Sequence, residues 1–222
     1  MMYKSCIFDL DGTLTDTLDS LTYSVNLTLE EMGYPALERS KCRAFVGNGS
    51  RVLIEKALKA SGDTTLSRIE EGMEVYDRVF DANCTYHVTP YDGIVELLQA
   101  LKEKGMKLTV LSNKPHRQAV HVVEEVFGKE MFDWVQGQQE GIPRKPDPYA
   151  AIQIAEKFGV KPEECVYIGD SEVDVATGMA ARMKTLGVTW GFRSVEQLKE
   201  AGVTILLDRP VQILEEINKG GI

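Results

Sequence analysis

Two patterns predict a doubly wound, Rossmann-like α/β fold, a parallel sheet with helices on both faces, carrying an inserted all-helical cap domain. Short apolar runs alternate with amphipathic segments of helix length over most of the 222 residues, the signature of βα units around a parallel sheet. Residues 18–83 interrupt that alternation with three or four helical stretches and no convincing strand. The first run, SCIFDL, reads as the opening strand; KLTVLSN, CVYIGD, KTLGVTW and VTILLD read as further strands, with WVQG a weaker sixth. Residues 94–104, 116–127, 148–158, 173–181, 195–201 and 211–218 read as helices of the core, because apolar residues recur at spacings of three and four, as in Ile94, Leu97, Leu98 and Leu101. Gly105, Gly159 and Gly202 follow three of these segments as expected C-terminal stops. Within the helical block, the pattern predicts helices over 18–32, 51–60 and 66–80. The expected core is therefore 1–15 plus 84–222 and the expected cap 16–83, joined by hinges near Thr15 and at 87–90.

A chain of this length buries a sizeable core and suits one domain with an insertion. Its composition, 43% hydrophobic and 27% charged, is that of a globular protein. No apolar run is long enough to span a bilayer, and the start of the chain lacks the features of a signal peptide, so a cytoplasmic address is expected. Cys6, Cys42, Cys84 and Cys165 are far apart with no paired spacing, which reads as buried, reduced thiols. The formal net charge of −9 and the lack of a dense basic patch argue against nucleic-acid or membrane binding. A small anionic substrate remains open, given a local cation to receive it, for a monomer or homodimer.

Ligands of open α/β sheets bind beyond the carboxyl ends of the strands, so the residues after each strand carry the most information. The first strand ends in Asp9, Asp11 and Thr13, the second in Ser112, Asn113 and Lys114, and a later one in Asp170 and Ser171, with Asp174 just beyond. PRKPDP places Lys145 in a proline-flanked loop before a helix. Asp9 and Asp11 lie two apart, on one side of an extended chain, and Gly12 permits a tight turn whose N–H groups could cradle an anion. Carboxylates gathered this closely repel each other, and a divalent cation is the usual remedy. Oxygen-only ligands suit Mg²⁺, while the lack of a nearby His or Cys disfavours zinc.

FDLDGTLTDT, VLSNK, the lysine of PRKPDP and YIGDSEVD, in that order, resemble the four motifs of the haloacid-dehalogenase-like phosphohydrolases. FVGNGSRVLIEKAL, the stretch from TPYDG to VLSNK, and LGVTWGFRS are most similar to the phosphoglycolate-phosphatase-like branch. The resemblance implies a Mg²⁺-dependent phosphatase in which Asp9 is the nucleophile that becomes an aspartyl phosphate. Asp11 would act as general acid and then general base. Asp9, the Asp11 backbone carbonyl and Asp170 would hold Mg²⁺, with Asp174 as a further ligand or an orienting group. Ser112 and Lys145 would hold the phosphoryl oxygens, with Thr13 and Asn113 as lesser contacts. In the cap, Gly47, Asn48 and Gly49 would bring backbone near the substrate and Arg51 would face its carboxylate. 2-Phosphoglycolate is the leading substrate by resemblance. Pyrophosphate, another metabolite phosphate, a phosphomutase reaction, phosphonate cleavage through a cap lysine, and a non-catalytic binding protein on the same fold stand as alternatives.

Two positions depart from the family pattern. Arg182 follows GDSEVDVATGMAA where glycine is usual, which predicts a left-handed Arg182 or a helix that ends differently. Thr15 replaces a larger apolar residue, predicting a slightly more polar hinge or mouth. Met32, Met73, Met106, Met131 and Met179 fall at spacings that predict packing roles, and His87, His116 and His121 show no catalytic pattern.

Overall fold

The structure, a computed structural model, describes residues 2–219. Six parallel strands form the sheet: β1 (Ser5–Phe8), β4 (Lys107–Pro115), β5 (Trp134–Gln138), β6 (Cys165–Gly169), β7 (Lys184–Val188) and β8 (Leu206–Leu207), in the order β5-β4-β1-β6-β7-β8. All the pairings are parallel. The chain thus runs outward from β1 on one side, then crosses back to build the other, and its ligand crevice falls at this reversal. The predicted weak strand at WVQG is β5, and the second predicted strand runs two residues further than expected, to Pro115.

Alternation along the strands explains the double winding. Cys6, Phe8, Leu108, Val110, Val166 and Ile168 point to one face and pack on α5 (Ile94–Glu103), α6 (His116–Phe127) and α10 (Val211–Lys219). Ile7, Leu111 and Tyr167 point the other way and pack on α7 (Tyr149–Lys157). The edge beyond β7 is completed by α8 (Glu172–Ala180) and α9 (Val195–Glu200), whose Val175 and Leu198 meet Val203. All four cysteines are free and buried.

Four helices fill residues 18–83: α1 (Leu18–Glu31), α2 (Arg39–Phe45), α3 (Ser50–Ala60) and α4 (Ile69–Asn83). Each buries one stripe, such as Leu18, Leu21, Val25 and Leu29 of α1. The chain enters and leaves this block through two short strands, β2 (Thr15–Asp16) and β3 (Thr89–Pro90), paired antiparallel. The two predicted hinge segments are therefore joined to each other. Thr15 is buried, and its hydroxyl donates to the Leu10 carbonyl at 3.2 Å, so its polarity is used inside the fold rather than at a mouth. Among the methionines, Met32 and Met106 are buried, and Met73 and Met131 pack against the core. Met179 departs from its expected packing role: it is 54% exposed, because the helical spacing that suggested burial runs along a face of α8 directed to solvent.

Arg182 adopts φ 58°, the first of the two expected outcomes. The Arg182 N–H donates to the Met179 carbonyl and the Met183 N–H to that of Gly178, a Schellman ending of α8 that requires a left-handed residue. A side chain in that conformation costs on the order of 1 kcal/mol. Arg182→Gly should accordingly raise the unfolding midpoint by about 2–4 °C in thermal denaturation, a rise characteristic of a chain this size.

Candidate active site

Strand register builds the site. Phe8 lies beside Val110 on β4 and Ile168 on β6, so the residues that follow each of them, leading to Asp9, Ser112 and Asp170, emerge at one end of the sheet. The Asp9 N–H donates to the Ile168 carbonyl at 2.9 Å and continues the ladder as its side chain leaves it. Asp9, Asp11, Ser112, Asn113 and Lys145 line a cavity of about 40 Å³, closed on the opposite side by Gly47, Gly49, Leu53, Tyr76 and Phe80 of the helical block.

Lys145 is 6% exposed, and its Nζ lies 2.8 Å from Asp9 Oδ1 and 2.7 Å from Asp174 Oδ1. Burial disfavours the charged ammonium, but Asp174 and Asp9 outweigh it and hold Lys145 well above the usual lysine range. Asn113 sets the position of this lysine. Its Oδ1 accepts from the Lys145 N–H at 2.9 Å, and its Nδ2 donates to the Lys145 carbonyl at 3.1 Å and to the Gly47 carbonyl at 3.2 Å.

Asp9, Asp170 and Asp174, all buried, each offer a carboxylate oxygen within 4.8 Å of the others, an arrangement suited to a metal ion. Burial, then the Asp174 charge, push Asp9 well above the usual carboxylate range despite Lys145. The same two causes push Asp170 up to about 7, against hydrogen bonds from the Phe192 N–H and Thr13. These raised carboxyls mark a donor set short of positive charge, which a hard divalent cation fits. Asp174 is engaged on both oxygens. Oδ1 accepts from Lys145 and from the Tyr167 hydroxyl, while Oδ2 accepts from the N–H and hydroxyl of Ser171, the N-cap of α8. This is the arrangement of an orienting group. The Asp11 carboxylate stands outside the cluster, 2.9 Å from Lys114 Nζ.

Three residues expected to meet the substrate make other contacts in the structure. The Thr13 hydroxyl is fully buried and donates to Asp170 Oδ1 at 3.1 Å, so it steadies a carboxylate. Gly12, at φ 89°, lies against the same group, where an added Cβ would meet Asp170 Oδ2 at 2.4 Å. Arg51 turns away from the cavity: its guanidinium pairs with Glu70 at 2.5 Å and Glu55 at 3.3 Å on the exposed side of α3. The arginine sits one residue into the helix, and helical geometry carries it to the solvent face. Gly49 and Asn113 do line the cavity.

Three other arginines, which no motif singled out, tie the helical block to the loops around the site. Arg43 donates to the Gly191 and Phe192 carbonyls, Arg193 to the Val46 carbonyl and Arg144 to the Asn48 carbonyl. Lys114, the last residue of VLSNK, was visible but had no assigned role. Its ammonium is buried between Asp11 and the Phe80 ring, 4.6 Å from the ring centroid. Tyr76, stacked on Phe80, is 1% exposed with a hydroxyl that has no hydrogen-bond partner among the described residues.

The haloacid dehalogenase-like hydrolase family model matches residues 6–188, and the chain belongs to that family. It is 31% identical over 204 residues to phosphoglycolate phosphatase 1 of Pseudomonas aeruginosa, covering 91% of this chain and 75% of that protein. It is likewise 31% identical over 217 residues to the phosphoglycolate phosphatase of Haemophilus influenzae, covering 96% and 97%. A solved structure from Lactobacillus delbrueckii subsp. bulgaricus superimposes with a TM-score of 0.89 at 33% identity, covering 98% of this chain and 99% of the other.

Two outcomes follow from this geometry. Asp170 takes up a proton far more readily folded than unfolded, so its contribution to stability is full at acidic pH and is lost as pH rises from about 4 through about 7. With a chelator present, the unfolding midpoint of Asp170→Asn relative to the parent should rise across that window, measured by thermal melts at pH 5 and pH 8. Arg51→Ala should leave the Michaelis constant for 2-phosphoglycolate within about twofold, because an exposed ion pair contributes little.

Proposed function

We propose that the chain is a Mg²⁺-dependent phosphatase that hydrolyses 2-phosphoglycolate through an aspartyl phosphate on Asp9. The observation that carries this reading is the Asp9 carboxylate at the mouth of β1, 2.8 Å from the buried Lys145 ammonium and lining a cavity shared with Asp11 and Ser112. The relatives named phosphoglycolate phosphatase support the choice of substrate.

In this reading residues 16–83 act as a cap over a core of 1–15 and 84–222. Asp9 attacks the phosphorus as the ester P–O bond breaks, and the ester oxygen departs with a proton from Asp11; water then gives a proton back to Asp11 and attacks the phosphorus, the Asp9 oxygen–phosphorus bond breaks, and inorganic phosphate leaves with the Asp9 carboxylate restored. Lys145 and the Ser112 hydroxyl hold the phosphoryl oxygens, donors already in place before the charge moves. Asp174 anchors Lys145, Asn113 fixes its backbone, and Thr13 steadies Asp170. Asp9, Asp170 and the Asp11 carbonyl would hold Mg²⁺, with Asp174 at the edge of the set. When bound, the metal neutralises charge on the carboxylates and the phosphoryl group. The apolar wall of Leu53, Tyr76 and Phe80 keeps bulk water away from the intermediate.

Among the described residues, the lysines lining the cavity are Lys114, on β4, and Lys145, in the loop before α7. No lysine of the helical block is placed for a Schiff base, which disfavours phosphonate cleavage. Asp9→Asn should fold normally by circular dichroism and lose roughly a thousandfold or more of its turnover. Chelation should abolish turnover of the parent and Mg²⁺ restore it. Full activity in Asp9→Asn would overturn the covalent route.

A further inference from the structure

Resting on the phosphatase reading, we propose that Lys114 and Tyr76 together form the subsite for a carboxylate on the leaving group, which assigns the substrates as short phosphate monoesters carrying a second anionic group. Arg51, the residue expected to meet that group, is paired with Glu70 and Glu55 outside the cavity. Lys145 already holds two carboxylates and belongs to the phosphoryl side. Lys114 is differently placed. It lines the cavity at 5% exposure, and of its three donors one is given to Asp11 at 2.9 Å while a ring face of Phe80 covers another side.

Tyr76 supplies the second and independent observation. Tyr76 lines the same cavity, and its hydroxyl is buried with no partner among the described residues. A buried hydroxyl left unpaired is costly, and an arriving carboxylate oxygen would satisfy it. The Tyr76–Phe80 stack, with ring centroids 5.1 Å apart, fixes the tyrosine ring, and Phe80 in turn carries the Lys114 ammonium. Both donors are thus held by one face of α4. Because Lys114 also touches Asp11, a carboxylate bound there delivers the adjoining ester oxygen toward the group that must protonate it. The subsite therefore selects and aligns in one contact.

The test compares kcat/KM for 2-phosphoglycolate with that for 2-hydroxyethyl phosphate, a monoester of similar size whose leaving group is uncharged. The parent should prefer the carboxylated ester. Tyr76→Phe, which removes a single unpartnered oxygen and spares the stack, should lower that preference at least about tenfold through KM for 2-phosphoglycolate, as loss of a hydrogen bond to a charged group does. Lys114→Met should lower it further, and Lys114→Arg should restore part of it. A preference within twofold of the parent's in both Tyr76→Phe and Lys114→Met overturns the subsite and leaves the phosphatase reading intact. A parent that hydrolyses the two esters equally well removes 2-phosphoglycolate as the substrate and the subsite with it. A parent that hydrolyses neither overturns the phosphatase reading itself.

Discussion

The Lys145 ammonium lies in the interior between Asp9 and Asp174, and the arrangement of the site depends on that placement. Taking an ammonium and two carboxylates out of water carries a desolvation cost that short contacts must offset. The contacts at 2.8 and 2.7 Å do so only while each partner is held rigidly. Asp174 is held by the N-terminus of α8 and Tyr167, Lys145 by Asn113, and Asp9 by the end of β1. Three loops that are distant in sequence are thereby locked to one charge. Removing the lysine would leave uncompensated buried acids, which makes it a structural residue as well as a catalytic one in the proposed reaction.

One positive charge does not balance the cluster. Asp170 makes no ion pair with Lys145 among the described residues and is stabilised by hydrogen bonds from the Phe192 N–H and Thr13 and by the nearby Arg193 charge. Its carboxyl therefore favours the proton, as does that of Asp9. This residual strain is the physical case for a divalent cation, and it explains why glycine is needed at position 12, where the backbone passes within a Cβ contact of Asp170. Stability is traded for a site that attracts a metal and a phosphoryl group, the usual expense of a preorganised centre.

The helical block contributes walls more than charges. Leu53, Tyr76 and Phe80 exclude water, and the arginines that grip the block come mainly from the core loops: Arg144 and Arg193 reach outward, and Arg43 reaches back. These links fall on backbone carbonyls, which places the Gly47 to Gly49 turn over the cavity whatever its side chains are. The paired strands β2 and β3 join both crossings at the base of the block. The helical wall over the cavity follows from these tethers and the apolar packing together.

Local pattern was sufficient for much of this protein. The alternation of strand and helix, the glycine stops, the left-handed Arg182 and the acidic strand end at Asp9 and Asp11 all depend on neighbours in sequence, where period and backbone chemistry act directly. Asp170 and Ser112 were legible because parallel strands deliver their C-terminal residues to one edge, whereas Lys145, in the loop between β5 and α7, was singled out by the motif it sits in. The directions of individual side chains were not. Whether Arg51 met a substrate or Glu70, whether Thr13 faced the cavity or Asp170, and which partner Lys114 took were settled by helix rotation and by contacts between segments up to 157 residues apart. Tyr76 could not have been separated from an ordinary core aromatic, because an unpaired hydroxyl exists only once its surroundings are built. Sequence therefore determined which elements form and where charge gathers; tertiary packing decided which charges pair, because pairing depends on distances that no local pattern encodes.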